Sequence, residues 1–412
     1  MFKHSQGVVF MLLLSGFRYF RAVGVALLFL SVSLATVRAD VRPETWQVVV
    51  DAGSSKTRGI LYRLSADAVT PVVEYNSKLP LARYAGVPDE SGNLLIAPLL
   101  DTLERLANDQ KYALEKKTVL VNVLGTAGMR ELSAGQQGVI YEAVKTSILA
   151  KGWALGQVGT IDGRDEGIFA WVHLNFLKGL ATSDNTLGII EMGGASSQIT
   201  FALRSPPMDK ADVSQNARTV MWDGKTYSVI SESLLGLGAD AARTAMDKVR
   251  PQDQRCYPQG ALIMKVPTTG AFDFTACDLV YDEAIAANYQ SEIKKLDAIV
   301  ASSNYTQTDF VGLSSLYYTL NFFNNDVPER GTLKSALEQS CQRYADIEER
   351  LRQDDSKDKY QPENKCANGV FVYDLLYDYL QLGDGRLTAL KKVENMDIRW
   401  TDGFLLLGKQ AP

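Results

Sequence analysis

Val48-Val49-Val50-Asp51-Ala52-Gly53-Ser54-Ser55 leads into Gly59-Ile60-Leu61-Tyr62, and 140 positions on (191 − 51) Gly188-Ile189-Ile190-Glu191-Met192-Gly193-Gly194-Ala195-Ser196-Ser197 leads into Gln198-Ile199-Thr200-Phe201. Each stretch is a β-branched run ending in a carboxylate, then glycines and small hydroxyls, then a second apolar run. Both therefore read as strand–turn–strand hairpins. Glycine in such a turn lets backbone N–H groups crowd an anion, and the hydroxyls add donors. A carboxylate at the strand end can hold a hydrated metal beside that anion. One such turn is an ordinary hairpin. Two in one chain imply duplicated lobes that close on one phosphate chain.

At 412 residues the chain exceeds a usual single core, which also predicts two lobes. Lys3, Arg18 and Arg21 precede the apolar run from Val23 to Ala35, and Val37-Arg38-Ala39 offers a small-residue cleavage site before Asp40. Residues 1–39 therefore read as a secretory signal, with an uncleaved membrane anchor as the alternative. No later stretch is long and apolar enough to span a bilayer. The formal net charge of −5 becomes −9 once Lys3, Arg18, Arg21 and Arg38 leave with the signal. A mildly acidic surface gives no support for nucleic-acid binding, so a phosphate substrate must be held by local donors, a few cations and a metal.

The four cysteines, Cys256, Cys277, Cys341 and Cys366, cluster in the second half. With an export signal they predict two disulfides, and neighbour pairing (Cys256–Cys277, Cys341–Cys366) is taken from three possible connectivities. Histidine supplies an exclusion. Only His4 and His173 exist, so a multi-histidine zinc site is ruled out and a Ser-His-Asp mechanism has one possible base. His173, seven positions after Glu166 on an expected helix, reads as a packed residue.

Along the chain, Thr45–Val50 and Thr57–Leu64 are expected as the first hairpin and Pro98–Lys116 as a helix. Thr118–Leu124 reads as a buried strand, Gln136–Lys151 as a helix, Gly156–Ile161 as a strand, and Gly167–Leu177 as a helix. The second hairpin spans Leu187–Leu203, residues 204–280 read as irregular, Thr332–Leu351 as helical, and Asp354–Lys365 as a polar loop. Strands alternating with helices argue α/β. Gly125-Thr126-Ala127-Gly128 after a strand repeats the phosphate-cradling chemistry, although the same four residues suit any strand-to-helix turn. In a chain without usable histidine, Asp165 and Glu166 at a helix start supply the natural general base.

These residues carry a resemblance. Asp51–Arg58, Leu124–Arg130, Asp162–Trp171 and Glu191–Phe201 occur in the order and with the content found in the secreted and ecto-nucleoside triphosphate diphosphohydrolases, the apyrases. Trp400-Thr401-Asp402-Gly403 resembles the family's fifth motif, and Phe310–Thr319 and Cys366–Phe371 are similar as well. The resemblance implies two ribonuclease-H-like lobes of the actin/heat-shock ATPase superfamily with the nucleotide in the interlobe cleft. It implies lobe I from 40–155 with 398–412 and lobe II from 156–397. Gly53, Ser54, Ser55, Lys56, Thr57 and Arg58, then Thr126, Ala127 and Gly128, then Gly193, Gly194 and Ala195 would hold phosphates. Asp51 and Glu191 would orient waters on Ca²⁺ or Mg²⁺. Glu166 matches the catalytic base, Ser196 and Gln198 the residues that position the attacking water, and Tyr317 and Phe371 the side chains that stack the nucleobase. Glu191 departs from the family's usual Asp, and Asp402 from an apolar residue.

The expectation is thus a secreted or periplasmic monomer that hydrolyses the terminal phosphates of nucleoside tri- and diphosphates by direct attack of water. The rivals are an exopolyphosphatase-like hydrolase on the same fold and a non-catalytic actin-like ATP-binding protein.

Overall fold

Val48, Val49 and Val50 are all fully buried. Successive side chains of a strand point to opposite faces, so both faces of β1 (Thr45–Ala52) are covered and the strand is central. The computed structural model describes residues 44–66, 68–204, 217–251, 253–302 and 304–409; the segment read as a secretory signal lies outside them. β1 pairs antiparallel with β2 (Thr57–Leu64), and β2 with β3 (Val69–Ser77). On its other side β1 runs parallel to β4 (Leu120–Gly125), and β4 to β5 (Ala154–Thr160), which gives the order β3-β2-β1-β4-β5.

The second sheet repeats this plan. β6 (Gly188–Met192) and β7 (Ser196–Ala202) form the hairpin; β8 (Ala217–Trp222) and β9 (Lys225–Leu235) follow, with β9 against β7. A separate two-stranded ribbon, β10 (Leu262–Ile263) with β11 (Val266–Pro267), precedes β12 (Phe310–Ser314) and β13 (Leu387–Ala389). β12 runs parallel to both β6 and β13, so the order is β13-β12-β6-β7-β9-β8. Each sheet is a hairpin with antiparallel strands on one side (β3 in the first, β9 and β8 in the second) and two parallel strands on the other. The parallel neighbours need crossovers. Helix Ala134–Ala150, started by a capping box between Ser133 and Gln136, supplies the first. The long helical stretch between β12 and β13 supplies the second.

Helices Gly163–Leu177 and Trp400–Gly408 lie between the sheets. Their Trp171 and Leu405 share one apolar cluster with Val49, Ile60 and Tyr62 of the first sheet and Ile189, Val311 and Leu313 of the second. The outer faces carry separate cores, one around Val48, Val50 and Leu99, the other around Ile190, Ile199 and Phe201.

The structure corrects several element readings. The helix expected from Gly167 begins at Gly163, because the Asp162 carboxylate accepts the Arg164 N–H at 2.9 Å and caps it. The helix expected over Pro98–Lys116 stops at Asp109, and Lys111 takes φ 65° just beyond. Thr332–Leu351 divides into helices Arg330–Ser340 and Tyr344–Gln353. Residues 204–280, read as irregular, contain the β8–β9 hairpin and helix Ala239–Val249. Two signals were present. Asp223-Gly224 forms a two-residue turn with φ 49° and 73°, the mirror-image turn that suits strand twist. The alternation in β9 was masked because its inward residues include Ser231, which hydrogen-bonds Thr200 at 2.7 Å.

The two central helices meet at Gly403, where an added Cβ would stand 1.8 Å from the Phe169 carbonyl oxygen. Gly403→Ala must push them apart. It is expected to cost about 1–3 kcal/mol and to lower the thermal unfolding midpoint by several degrees; an unchanged midpoint would show that the helices tolerate separation.

Candidate active site

The two hairpin turns converge on Ser54. A Cβ added to Gly194 would lie 2.9 Å from Ser54 Oγ, and one added to Gly128 would lie 2.8 Å from Ser54 Cα. At Gly128 this approach is to backbone and requires glycine, whereas at Gly194 the Ser54 hydroxyl could turn aside. The loop Gly236–Asp240 braces the second turn: Gly236 N–H donates to the Ala195 carbonyl at 2.8 Å, Ala239 N–H to Gly193 at 3.0 Å and Asp240 N–H to Gly194 at 2.9 Å. A trans peptide points its C=O and N–H in opposite directions. Bonding the Gly193 and Gly194 carbonyls to that loop therefore turns the Gly194 and Ala195 N–H groups away from it. Among the described residues these two N–H groups, and those of Ser54 and Ser55, donate no hydrogen bond to the chain. They form the kind of donor nest that takes phosphate oxygens.

Three carboxylates stand around these turns. Asp51 ends β1 opposite Arg58, and Glu191 on β6 faces Gln198 across the hairpin. Burial raises the Asp51 carboxyl against the pull of Arg58 and Lys56, while the Trp400 indole beside it favours its charge. Glu191 is pushed up to about 8, first by burial and then by the Glu166 charge. Ser314 Oγ donates to its Oε1 at 2.9 Å, whereas its Oε2 is buried without a partner. Ser314 holds φ 60°, a conformation costly for a residue with a Cβ, at the end of β12 where its hydroxyl meets Glu191.

Glu166 sits in the first turn of helix 163–177, buried, and burial raises it to about 7 against the Arg130 charge beside it. Arg130 Nη2 donates to Glu166 Oε2 at 3.0 Å and to Ser196 Oγ at 3.1 Å. Gln198 Nε2 donates to the same Ser196 oxygen at 2.8 Å and to Ser233 Oγ at 3.1 Å. The structure thus brings Glu166, Ser196 and Gln198 together through one guanidinium. Asp165 is turned the other way, onto Arg218 of β8.

Two expected ligand residues are placed elsewhere. Thr57 is fully buried and donates its hydroxyl to the Leu79 carbonyl at 2.8 Å, so it anchors the end of the turn and has no hydroxyl hydrogen left for phosphate. Phe371 is also fully buried, stacked on Tyr281 with ring centroids 5.6 Å apart, and presents no face to a base. Its helix turns that side chain into the second core. Tyr317 is half-buried against Tyr318, and the exposed Lys56 lies within electrostatic reach of Asp358 in the polar loop. Tyr360 of that loop is exposed, near Asp240 and Arg243.

His173 is neutral: burial lowers it to about 3, and its Nδ1 accepts the Arg399 N–H at 2.9 Å. Asp402, pushed by burial to about 6, accepts from the Tyr62 hydroxyl at 2.8 Å and ties β2 to its own helix, Trp400–Gly408. Arg130, Ser233, Ser314 and the Gly236–Asp240 loop were given no role by sequence reasoning. Signals existed for Arg130, at the end of Leu124–Arg130, and for Ser314, within Phe310–Thr319.

The model of the GDA1/CD39 (nucleoside phosphatase) family matches residues 38–411. The chain is 25% identical to probable apyrase 3 of Arabidopsis thaliana, over 92% of this chain and 85% of that protein. It is 27% identical to ectonucleoside triphosphate diphosphohydrolase 2 of Mus musculus, over 93% and 86%. A nucleoside triphosphate hydrolase structure from Neospora caninum superposes with a TM-score of 0.60 at 14% identity, covering 89% of this chain and 92% of that one. At that identity the likeness is one of fold, the two-lobed α/β plan of the actin-like ATPases.

The Arg130–Glu166 pair yields a prediction. In Arg130→Met the Glu166 carboxylate is buried without its cation, which costs about 3 kcal/mol or more once charged. A carboxyl raised in the folded state loses stability as pH climbs from its unfolded value of 4.5 through its folded value, about 7 in the native protein and higher in the variant. The stability gap between variant and native protein should therefore be small near pH 5 and widen above pH 7 in denaturant titrations. A pH-independent gap would show that Arg130 acts through packing alone.

Proposed function

The chain belongs to the GDA1/CD39 (nucleoside phosphatase) family, a hydrolase family, and on that premise we propose that it is an apyrase, releasing the terminal phosphate of nucleoside tri- and diphosphates with Ca²⁺ or Mg²⁺. The observation that carries this reading is the convergence of the two turns on Ser54 beside a buried Glu166 whose carboxyl is raised to about 7.

The donor set fits a hard divalent cation: Asp51 and Glu191 are half-buried carboxylates, Glu191 Oε2 lacks a partner, and among the described residues no cysteine is free. Asp51 and Glu191 would hold the ion through water, and when bound it would offset negative charge on the phosphate oxygens. The chain's own groups do the rest. The N–H groups of Ser54, Ser55, Gly194 and Ala195, with Thr126–Gly128, bind phosphate oxygens and spread the charge that develops as the phosphoryl group transfers. Ser196 and Gln198 position a water. As its oxygen bonds to phosphorus and the bond to the leaving phosphate oxygen breaks, its proton passes to Glu166. A base with a carboxyl near 7 suits this role at neutral pH. Arg130, bonded to both Glu166 and Ser196, keeps the base and the water site in fixed relation. The expected lobe boundary at 155/156 falls inside β5 (Ala154–Thr160), which pairs with β4, so the first lobe takes in all of that strand and the cleft lies between the two turns. With Phe371 in the core, Tyr317 and the exposed Tyr360 are the aromatic groups that would meet a nucleobase. Cys256 bonded to Cys277 and Cys341 to Cys366 support work outside the cytosol.

Phosphate release from ATP, ADP, AMP and polyphosphate, with Ca²⁺, Mg²⁺ or excess chelator, tests the substrate and cation. ATP and ADP should be cleaved only with cation, and AMP and polyphosphate spared; full turnover in chelator, or preference for polyphosphate, would overturn the reading.

Glu166→Gln keeps the shape and removes the proton acceptor, so kcat should fall by roughly 10²–10⁴ with nucleotide binding retained. In the native enzyme kcat/KM should rise with pH through the free-enzyme value near 7, because the base works deprotonated. A variant with near-native kcat would remove Glu166 from the mechanism.

A further inference from the structure

Helix Lys365–Tyr373 runs on into a π-helical turn, Asp374–Tyr379, a local form found disproportionately at functional sites. Asp374 opens that turn. It is fully buried, and neither of its carboxylate oxygens has a hydrogen-bond partner. An ionised group in that position is costly unless something compensates it.

Asp374 is one of three acids, with Asp278 and Asp378, that each bring one carboxylate oxygen within 4.8 Å of the other two. Asp278 comes from helix Phe274–Asn288, one residue after the Cys256–Cys277 bond. Asp378 is exposed and Asp278 half-buried, so the group runs from the core to solvent and has an entry path. Asp282 adds a fourth charge from the same helix, accepting the Tyr379 hydroxyl at 3.0 Å. The cation facing the group is Arg330, which pairs with Asp378 on the outer side and donates to the Tyr377 carbonyl at 2.7 Å. The charges acting on Asp374 itself are Asp278, Asp282 and Asp378, all acids.

A proton or a cation can relieve this concentration of charge. One proton shared between Asp278 and Asp374 satisfies a single Asp374 oxygen and leaves the other orphaned. A cation draws on all three acids at once. Oxygen ligands of Ca²⁺ stand at about 2.3–2.6 Å, so ligands on opposite sides are separated by up to about 5 Å, and the 4.8 Å spread falls within that span. Mg²⁺ keeps most of its water and seldom takes such a cage of carboxylates.

We propose that Asp278, Asp374 and Asp378 form a Ca²⁺ site, made of residues distinct from the carboxylates of the cleft, that clamps helix 274–288 to the turn 374–379. It does not rest on the proposed activity, since its role is to hold two helices of the second core together.

The test uses Tb³⁺ as a luminescent probe, excited through tyrosine; Tyr377 and Tyr379 are on the same turn. Full-length native protein, Asp374→Asn, Asp378→Asn and, to silence the cleft, Glu191→Gln are titrated with Tb³⁺ and then Ca²⁺, and their unfolding midpoints are compared with and without Ca²⁺. The native protein and Glu191→Gln should bind Tb³⁺, release it to Ca²⁺ and unfold later with Ca²⁺. Asp374→Asn and Asp378→Asn should lose affinity at least tenfold and lose the Ca²⁺-dependent rise, while Asp378→Asn keeps cation-dependent phosphate release. If Asp374→Asn does not fold, the exposed Asp378→Asn decides. Binding unchanged in Asp378→Asn overturns the site. So does a native protein without signal, or an Asp374→Asn protein that is more stable than native with no Ca²⁺ response, as a shared proton requires.

Discussion

Three acids at the meeting point of two sheets, the buried Glu166 and the half-buried Asp51 and Glu191, set the terms for the rest of the cleft. Asp51 raises the proton affinity of Glu166, and both raise that of Glu191. Such a group survives in a folded protein only with compensation nearby. Arg130 compensates Glu166 and Arg58 faces Asp51, while Ser314 satisfies one oxygen of Glu191 from a strained backbone. What remains uncompensated, Glu191 Oε2 above all, is what a divalent cation and its waters would take up. The cleft is a set of charges held short of balance.

The architecture makes that arrangement possible. Because each sheet is built as a hairpin beside parallel strands, the two carboxylate-bearing strand ends and their turns are equivalent positions in a repeated plan. Helices 163–177 and 400–408, packed between the sheets without room for a methyl at Gly403, fix the spacing. The same helices carry Glu166 and Trp400 to the carboxylates, so the element that sets the distance between the sheets also places the buried Glu166 beside Arg130.

Much of this was legible in the chain. The two hairpins announce themselves because their turns demand glycine and small hydroxyls while their strands demand apolar side chains on both faces. Glu166 stood out because histidine is nearly absent and Asp165-Glu166 follows a strand-to-helix turn. The β8–β9 hairpin was hidden, since Ser231 and Ser233 point inward to bond Thr200 and Gln198 and break the apolar alternation. Phe371 and Thr57 misled for a related reason: residue type and neighbourhood are visible in a sequence, but the direction of a side chain is not.

Local chemistry, read from the sequence, determined the strands and turns, the duplicated plan, the carboxylates of the cleft and the family. Those properties depend on residues adjacent in the chain, where backbone preference and side-chain size act directly. Only the tertiary structure decided that Arg130 joins Glu166 to Ser196 across 36 and 66 positions of sequence. The same holds for the bracing of the Gly193–Ala195 turn by Gly236–Asp240, and for the meeting of Asp278 with Asp374 and Asp378. Such contacts are set by how sheets and helices stack, and the energy of a buried charge depends on everything that surrounds it in space.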